Sequence, residues 1–284
     1  TPNYTFSSDQ AGTITYGGSC SSNTTSATSG NNRITLNSLN DGTYSDCTIK
    51  VTNAAGYVSY TLTITSFVVD SAAATLEEVT AVTTPTNDST PNYTFSSDQA
   101  GTITYGGSCS SSTTSAISGN NTITLNSLND GTYSDCTIRV TNASGYVSDS
   151  ITITSFVVDS TAATLAEETA VTTLTNDSTP EYTFSSDQAG TITYGGSCSS
   201  VTTSAISGNT TITLIYLSDD TYSDCTVTVT DTASNSVTLN MSSFTIDTTA
   251  PVVSSFTLSN YKLKTDETAT VTLVFSEVVV GFSS

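Results

Sequence analysis

Residues 90–111, TPNYTFSSDQAGTITYGGSCSS, decide the fold of this chain. Tyr93 and Phe95 alternate with polar residues, which predicts a strand over residues 92–97 with one apolar face. A Gln-Ala-Gly turn follows, and residues 102–105 resume the alternation as a second short strand. Short strands separated by tight turns are typical of an all-β fold.

The same stretch occurs three times in the chain. Its 22 letters stand unchanged at residues 1–22 and return from residue 179 with Glu181 in place of Asn. A second block, ITLNSLNDGTYSDCTI at residues 34–49, recurs at residues 123–138 and, in looser form, at residues 212–227. The common period is 89 residues, which indicates duplication of one folding unit.

Further β-rich segments lie between the repeated blocks. In the second copy they are residues 76–82, 122–128, 133–141 and 147–158. Together with the two strands above, each repeat is predicted to have six or seven short strands, enough for one β-sandwich core in about 90 residues. No segment has the apolar stripe of an amphipathic helix.

The strand that carries the second cysteine of each repeat changes its alternation. Cys47, Ile49 and Val51 are at odd positions and therefore share one face of a regular strand, whereas Tyr44, at an even position, would point to the opposite face. A one-residue bulge near Ser45 reconciles them and directs the Tyr44 hydroxyl back to the preceding turn, like the tyrosine corner of sandwich folds. The alternative is a plain tyrosine at the edge of the core.

The six cysteines form three pairs with one spacing. Cys20 has the parity of Ile14 and Tyr16, and Cys47 that of Ile49, so both thiols are expected in the sandwich interior. We therefore predict one structural disulfide per repeat and an oxidising compartment. A zinc site is the alternative, but zinc needs four ligands and each repeat offers two cysteines and no histidine. The predicted disulfides are Cys20–Cys47, Cys109–Cys136 and Cys198–Cys225.

The charge of the chain limits its partners. Acidic residues outnumber basic ones 25 to 5, and the formal net charge is −20. Nucleic acid is excluded as a partner because its binding requires clustered Lys and Arg, and an anionic membrane surface is disfavoured for the same reason. No apolar run approaches the roughly 20 residues of a membrane-spanning helix, so no membrane span is expected in this stretch.

Two stretches resemble a known family. Residues 39–59, LNDGTYSDCTIKVTNAAGYVS, and residues 242–259, SSFTIDTTAPVVSSFTLS, resemble the bacterial immunoglobulin-like (Big-type) tandem repeats of large extracellular surface adhesins. The resemblance extends over essentially the whole chain. Its most specific part is Asp-Thr-Thr-Ala-Pro at residues 247–251, since in that family this phrase marks the passage from one domain to the next. The equivalent phrases at residues 70–74 and 159–163 lack the proline.

The resemblance implies tandem immunoglobulin-like β-sandwich modules with junctions near residues 70, 159 and 247. We predict a first repeat that lacks its first strand, two complete repeats, and the start of a further immunoglobulin-like domain of a different subtype. In that order, the four parts are residues 1–70, 71–159, 160–247 and 248–284.

The resemblance also implies a function at the bacterial cell surface. The expectation is a non-enzymatic extracellular repeat region that acts as an elongated stalk or spacer in adhesion or biofilm, with the neighbouring modules of the same chain as its partners. An alternative remains, in which the repeats self-associate and form a subunit of an ordered extracellular filament or matrix fibre.

Catalytic chemistry has few candidates in this chain, which has no histidine. Glu77–Glu78 and Glu167–Glu168 suggest the carboxylate pair of a glycosidase. Adjacent strand residues point to opposite faces, however, and we predict that these glutamates lie on the solvated surface. We therefore predict no catalytic site.

Calcium is the one predicted ligand, although no cofactor is required. Related adhesins stiffen their junctions with calcium, and oxygen ligands suit an acidic chain rich in hydroxyl groups. The alternative is that the candidate side chains cap their own backbone turns. The candidates are Asp70, Asp159 and Asp247 at the junctions, Asp88 and Asp177 in Asn-Asp-Ser turns, and Asn53, Asn142 and Asp231 in the neighbouring loop.

Overall fold

A computed structural model describes residues 1–281, and all of its regular secondary structure in that range is β-strand. Because this range contains no helix, it offers no candidate for a helical membrane span. The predicted all-β fold class is confirmed.

The first repeat folds into three small sheets. β2 and β6 are the centre of a four-stranded sheet in the order β3-β2-β6-β7, while β1 pairs with β4 and β5 pairs with β8. All of these pairs are antiparallel. The strands are β1 (Asn3–Ser8), β2 (Gly12–Gly17), β3 (Ser26–Ala27), β4 (Gly30–Thr35), β5 (Gly42–Tyr44), β6 (Thr48–Asn53), β7 (Leu62–Thr63) and β8 (Phe67–Val69).

The second repeat has the same strands and one more at its start. The additional strand β9 pairs with β10, so that the sheet order is β13-β10-β9, beside a four-stranded sheet in the order β12-β11-β15-β16. The strands are β9 (Leu76–Thr80), β10 (Asn92–Ser97), β11 (Gly101–Gly106), β12 (Ser115–Ala116), β13 (Gly119–Thr124), β14 (Gly131–Tyr133), β15 (Thr137–Asn142), β16 (Ile151–Thr152) and β17 (Phe156–Val158).

The third repeat follows the second strand for strand. Its sheets have the orders β18-β19-β22, β21-β20-β24-β25 and β23-β26, and a separate antiparallel pair, β27-β28, follows. The strands are β18 (Leu165–Thr169), β19 (Glu181–Ser186), β20 (Gly190–Gly195), β21 (Ser204–Ala205), β22 (Gly208–Thr213), β23 (Asp220–Tyr222), β24 (Thr226–Thr230), β25 (Ser236–Asn240), β26 (Phe244–Ile246), β27 (Val253–Leu258) and β28 (Val271–Phe275).

One buried cluster joins the sheets of a repeat into a sandwich. In the first repeat, Phe6 of β1 and Ile34 of β4 belong to the same cluster as Ile14 of β2 and Ile49 of β6. In β2 and β4, buried residues alternate with exposed ones, as the sequence pattern predicts. The described repeats are thus immunoglobulin-like β-sandwiches in tandem.

The chain divides into two compact units. One consists of Thr1–Thr83 and Ser89–Val157, and the other begins with Thr84–Asp88 and continues from Val158. The boundaries predicted near residues 70, 159 and 247 stay predictions.

Each of the three repeats contains its predicted disulfide: Cys20–Cys47, Cys109–Cys136 and Cys198–Cys225. Gly17 at the end of β2 lies opposite Thr48 at the start of β6, so the first disulfide continues the pairing of these two strands. The turn that leads to Cys20 needs glycine at residue 18, which has a φ of 73° and where a Cβ would collide with the carbonyl of Asp46. The disulfide therefore fastens two neighbouring strands of one sheet.

The tyrosine corner is confirmed, whereas the predicted bulge beside it is wrong. The Tyr44 hydroxyl donates to the Asn40 carbonyl at 2.9 Å, and its ring stacks on Phe67 with centroids 5.5 Å apart. β5 ends at Tyr44 and β6 begins at Thr48 in a different sheet. The chain thus passes from one sheet to the other between these strands. This passage, and not a bulge, allows both Tyr44 and Cys47 to face the core.

Candidate functional site: the junctions between repeats

The first junction is the segment that joins β8 to β9, and both flanking repeats hold it. Toward the first repeat, the backbone N–H and the hydroxyl of Ser71 donate to Oδ1 of Asp41 at 2.9 and 2.7 Å. Toward the second repeat, the N–H of Thr75 donates to Oδ1 of Asp98 at 2.7 Å, and the N–H of Asp98 donates to the Thr75 carbonyl at 3.2 Å. The connecting segment therefore has little freedom of its own.

Asn142, in the loop after β15, closes this junction. Its Nδ2 donates to Oδ2 of Asp70 at 3.0 Å and to the Ala72 carbonyl at 2.8 Å. The same nitrogen lies 2.8 Å from Oε1 of Gln99, and Oδ1 accepts the N–H of Tyr146 at 2.9 Å. Because an amide both donates and accepts, one side chain, which is 6% exposed, shapes its own turn and binds the preceding linker.

The third repeat also binds its linker through an asparagine amide, but from a different residue and at a carbonyl two residues earlier in the repeat register. Asp231 replaces Asn142 and has no donor, but Asn235 replaces Tyr146. Nδ2 of Asn235 donates to the Asp159 carbonyl at 2.8 Å and to Oδ2 of Asp231 at 2.9 Å. The amide that reaches the linker has moved four residues along the turn, so the two replacements compensate each other.

The Asn-Asp-Ser turns lie beside the next junction. The N–H of Asp159 donates to the Thr86 carbonyl at 2.9 Å, and the N–H of Asp247 donates to the Thr175 carbonyl at 2.9 Å. These bonds bring each turn against the aspartate that ends its repeat. The calcium candidates Asp88 and Asp177 follow Thr86 and Thr175, respectively, by two residues.

The third junction is anchored by Asp219, the counterpart of Asp41. Its Oδ1 accepts the N–H and the hydroxyl of Thr248 at 2.9 and 2.7 Å, and its Oδ2 accepts the Thr249 hydroxyl at 2.7 Å. The hydrogen bonds from Thr249 and then Thr248 hold the pKa of Asp219 below its ordinary value. The ionised carboxylate is thus the form that binds the linker.

The predicted calcium ligands are engaged in turn hydrogen bonds. Oδ1 of each junction aspartate, Asp70, Asp159 and Asp247, accepts the N–H two residues later at 3.2, 3.2 and 3.1 Å. Asp177 makes the same contact at 2.9 Å, and Asn53 donates to its own repeat. Within residues 1–281, no three acidic, histidine or cysteine side chains lie close enough together to hold a metal ion. Calcium at the junctions stays a prediction.

Two glutamates that the sequence assigned to the solvated surface are partly exposed and also have a structural role that the sequence did not predict. Glu78 of β9 accepts the N–H of Thr154 at 2.9 Å and its hydroxyl at 2.6 Å. Glu167 binds the N–H and hydroxyl of Ser242 at the same two distances. Each carboxylate fastens the first strand of its repeat to the segment before the last strand.

The repeat itself contains the signal for this role. The carboxylate of Glu78 returns at Glu167 in the repeat register, whereas Glu77 is replaced by Ala166. Burial raises the pKa of Glu78, but the hydrogen bonds from Thr154 outweigh burial, and the pKa is lowered. Burial and the charge of Glu78 raise the pKa of the neighbouring Tyr93.

Comparisons with known proteins add little to this description. No protein-family model matches the chain, and no curated protein sequence matches it. Among solved structures, the crystal structure of invasin, a bacterial integrin-binding protein, aligns with a TM-score of 0.34 and 15% sequence identity. The alignment covers 94% of this chain and 60% of that chain, so this chain spans less than two thirds of the length of the invasin chain.

Proposed function

We propose that this chain is a non-enzymatic, extracellular repeat region of a bacterial surface adhesin and acts as an elongated stalk or spacer. The observation that carries the proposal is the junction. Its linker is bonded to the repeats on both sides, and a side-chain amide of the loop binds a linker carbonyl in the second and third repeats, Asn142 at Ala72 and Asn235 at Asp159. A spacer needs a stiff connection at every junction between repeats, and it needs no binding site that is unique to one repeat.

Two further features support an extracellular location and a role as a spacer. Disulfides persist in oxidising compartments, and each of the three repeats contains one. The net charge of −20 makes neighbouring chains repel one another, which keeps long repeat regions soluble.

Small-angle X-ray scattering of the full chain tests the proposal. A compact repeat of 89 residues has a radius of gyration of about 12 Å and therefore a diameter of roughly 30 Å, so three repeats in line predict a maximum dimension on the order of 100 Å. Substituting Asn142→Ala and Asn235→Ala together should shorten and broaden the distance distribution, because both junctions then become hinges.

The chain contains a matched control for this experiment. Asn53 occupies the position of Asn142 in the first repeat, but its Nδ2 donates to Oε1 of Gln10 in its own repeat at 2.8 Å. Asn53→Ala should leave the distance distribution unchanged. A compact particle, or equal effects of the junction and control substitutions, would contradict the stalk.

A further inference from the structure

The outer strand of the four-stranded sheet differs between the second and third repeats. In the third repeat this strand is β25, and all of its residues, Ser236–Asn240, pair with β24 without a shift in register. In the second repeat it is β16, which consists of Ile151–Thr152 alone. The third repeat therefore has the longer and more regular strand at this edge.

One additional residue shortens the strand of the second repeat. Ile138 and Thr141 of β15 are three positions apart, but their partners Ile151 and Val147 are four positions apart. An additional residue between paired residues is a β-bulge, which bends the strand and interrupts its pairing. The third repeat lacks this residue, and its pairing continues through the equivalent positions.

The two edges also differ in charge. Asp149 is exposed within the bulge of the second repeat, whereas residues 232–246 of the third repeat include no charged residue. Bulges and charges are devices by which natural proteins keep edge strands from pairing with other chains. β25 has neither device, and β24 is its only strand partner among residues 1–281.

The hydrogen bonds at the two ends of β25 show which of its backbone groups face outward. The Asn235 carbonyl accepts the N–H of Asp231, and the N–H of Met241 donates to the Cys225 carbonyl, both at 3.0 Å. Because hydrogen-bonded and non-hydrogen-bonded pairs alternate in an antiparallel ladder, the odd-numbered residues of β25 bond to β24. The even-numbered residues direct their N–H and C=O groups to the open edge: Ser236, Thr238 and Asn240.

The order of residues in β25 suits pairing with a second copy of the same strand. Antiparallel pairing about Thr238 places this residue opposite itself, Ser236 opposite Asn240, and Val237 opposite Leu239. Exposed polar side chains then meet polar ones, and the half-buried apolar side chains meet each other. Leu239 packs against the core of its own repeat, so both cores lie on the same face of the joined sheet.

We infer that β25 is an association edge, at which two copies of the chain pair antiparallel about a two-fold axis at Thr238. The outward-facing residues of the two strands exchange about six backbone hydrogen bonds. A two-fold contact uses the same edge on both copies and closes on itself, so its product is a dimer. The net charge of −20 opposes the approach of two copies, and the uncharged residues 232–246 reduce this repulsion locally.

Sedimentation velocity of the full chain, up to millimolar concentration, tests the inference. A monomer–dimer equilibrium is expected, and Thr238→Lys should weaken it at least about tenfold because two like charges then lie opposite each other. Ser150→Lys, on the bulged edge of the second repeat, is the matched control and should leave the equilibrium unchanged. A chain that stays monomeric overturns the inference, as do assemblies larger than a dimer or equal effects of the two substitutions.

Cysteine cross-linking tests the register of the pairing. Cα atoms of a hydrogen-bonded antiparallel pair lie about 5.5 Å apart, within the range that a disulfide spans. Thr238→Cys should therefore give disulfide-linked dimers under mild oxidation. Ser236→Cys should not, because the two copies of this residue are offset by about 13 Å along the strands. Equal cross-linking of the two variants, or none at residue 238, overturns the assigned register.

A segment exchange and a salt series separate this edge from other causes of association. Replacing Ser236–Asn240 with residues 147–152 of the second repeat restores the bulge and the aspartate, and it should abolish the dimer; persistent dimers overturn the inference. Added salt screens the repulsion between the acidic copies and should strengthen association of the unaltered chain. Association that weakens with salt would mean that ion pairs hold the copies together, against the inference.

Discussion

The side-chain amide of Asn142 lies 2.8 Å from the backbone carbonyl of Ala72, seventy residues earlier in the chain. It thereby joins a loop of the second repeat to the linker that leaves the first. In the third repeat, Asp231 cannot donate, and Asn235 binds the linker instead, at the backbone carbonyl of Asp159. The junction is thus preserved while the residues that make it change, and this exchange can be tested directly.

The exchange predicts coupling between Asp231 and Asn235. Asn235→Tyr alone removes the donor to Asp159, and we expect faster hydrogen exchange of the linker amides near residue 161. Adding Asp231→Asn recreates the second repeat's arrangement and should restore protection. The two substitutions should therefore be strongly non-additive, and additive effects would contradict a shared role in the junction.

Glu78→Ala should loosen the first strand of the second repeat. The substitution removes two hydrogen bonds from Thr154, and the expected loss is about 1 kcal/mol because the site is partly exposed to water. Hydrogen exchange of the amides of β9 measures the loss. Glu77→Ala on the exposed face of the same strand is the control and should change protection little.

The lowered pKa values of Glu78 and Glu167 predict acid sensitivity. A group with a lowered pKa in the folded state contributes stability that is present above its unfolded value, here about 4.5, and is lost as the pH falls through the folded value. The melting temperature should therefore fall below about pH 4.5. The double variant Glu78→Gln, Glu167→Gln should show a shallower fall, and an unchanged pH profile would contradict this cause.

Removing one disulfide should destabilise one repeat. Closing a loop of 27 residues restricts the unfolded chain by roughly 3 to 4 kcal/mol in the entropy model. Substituting Cys109→Ala and Cys136→Ala together should therefore lower the denaturant concentration at which half of the second repeat is unfolded. The fluorescence of a probe placed in that repeat measures this midpoint. Probes in the first and third repeats should report unchanged midpoints.

Calcium at the junctions is a prediction that a chelation experiment can decide. Millimolar calcium, the range in which extracellular modules bind this ion, should raise the melting temperature, and EDTA should reverse the change. Asp159→Asn should abolish the response of its junction while it keeps the turn, because asparagine also caps such turns. Identical melting temperatures with calcium and with EDTA would mean that the junction aspartates only cap their turns and bind no calcium.

The correct sequence predictions concern features that depend only on residues close together along the chain. Alternation of Tyr93 and Phe95 with polar residues predicts a strand with one buried face, and the structure has β10 at that place. The tyrosine corner was predictable because its partner, the Asn40 carbonyl, is only four residues from Tyr44. A contact over four residues depends only on the conformation of the turn that contains both residues.

The wrong prediction of a bulge and the missed role of Glu78 both concern long-range placement. A bulge near Ser45 and a change of sheet produce the same reversal of alternation, so parity cannot separate them. The structural role of Glu78 was not predictable because its partner, Thr154, is 76 residues away. Only the register of β9 on β10 places that carboxylate at the hydroxyl of Thr154.

By itself, the sequence determined the period of 89 residues, the all-β class, the cysteine pairs and the acidic charge, since each follows from composition, spacing or alternation. The tertiary structure alone decided which amide closes each junction and which glutamate fastens the first strand. The physical reason is that hydrogen bonds and burial depend on distances in space, and the repeats bring together residues that lie 70 or more positions apart along the chain.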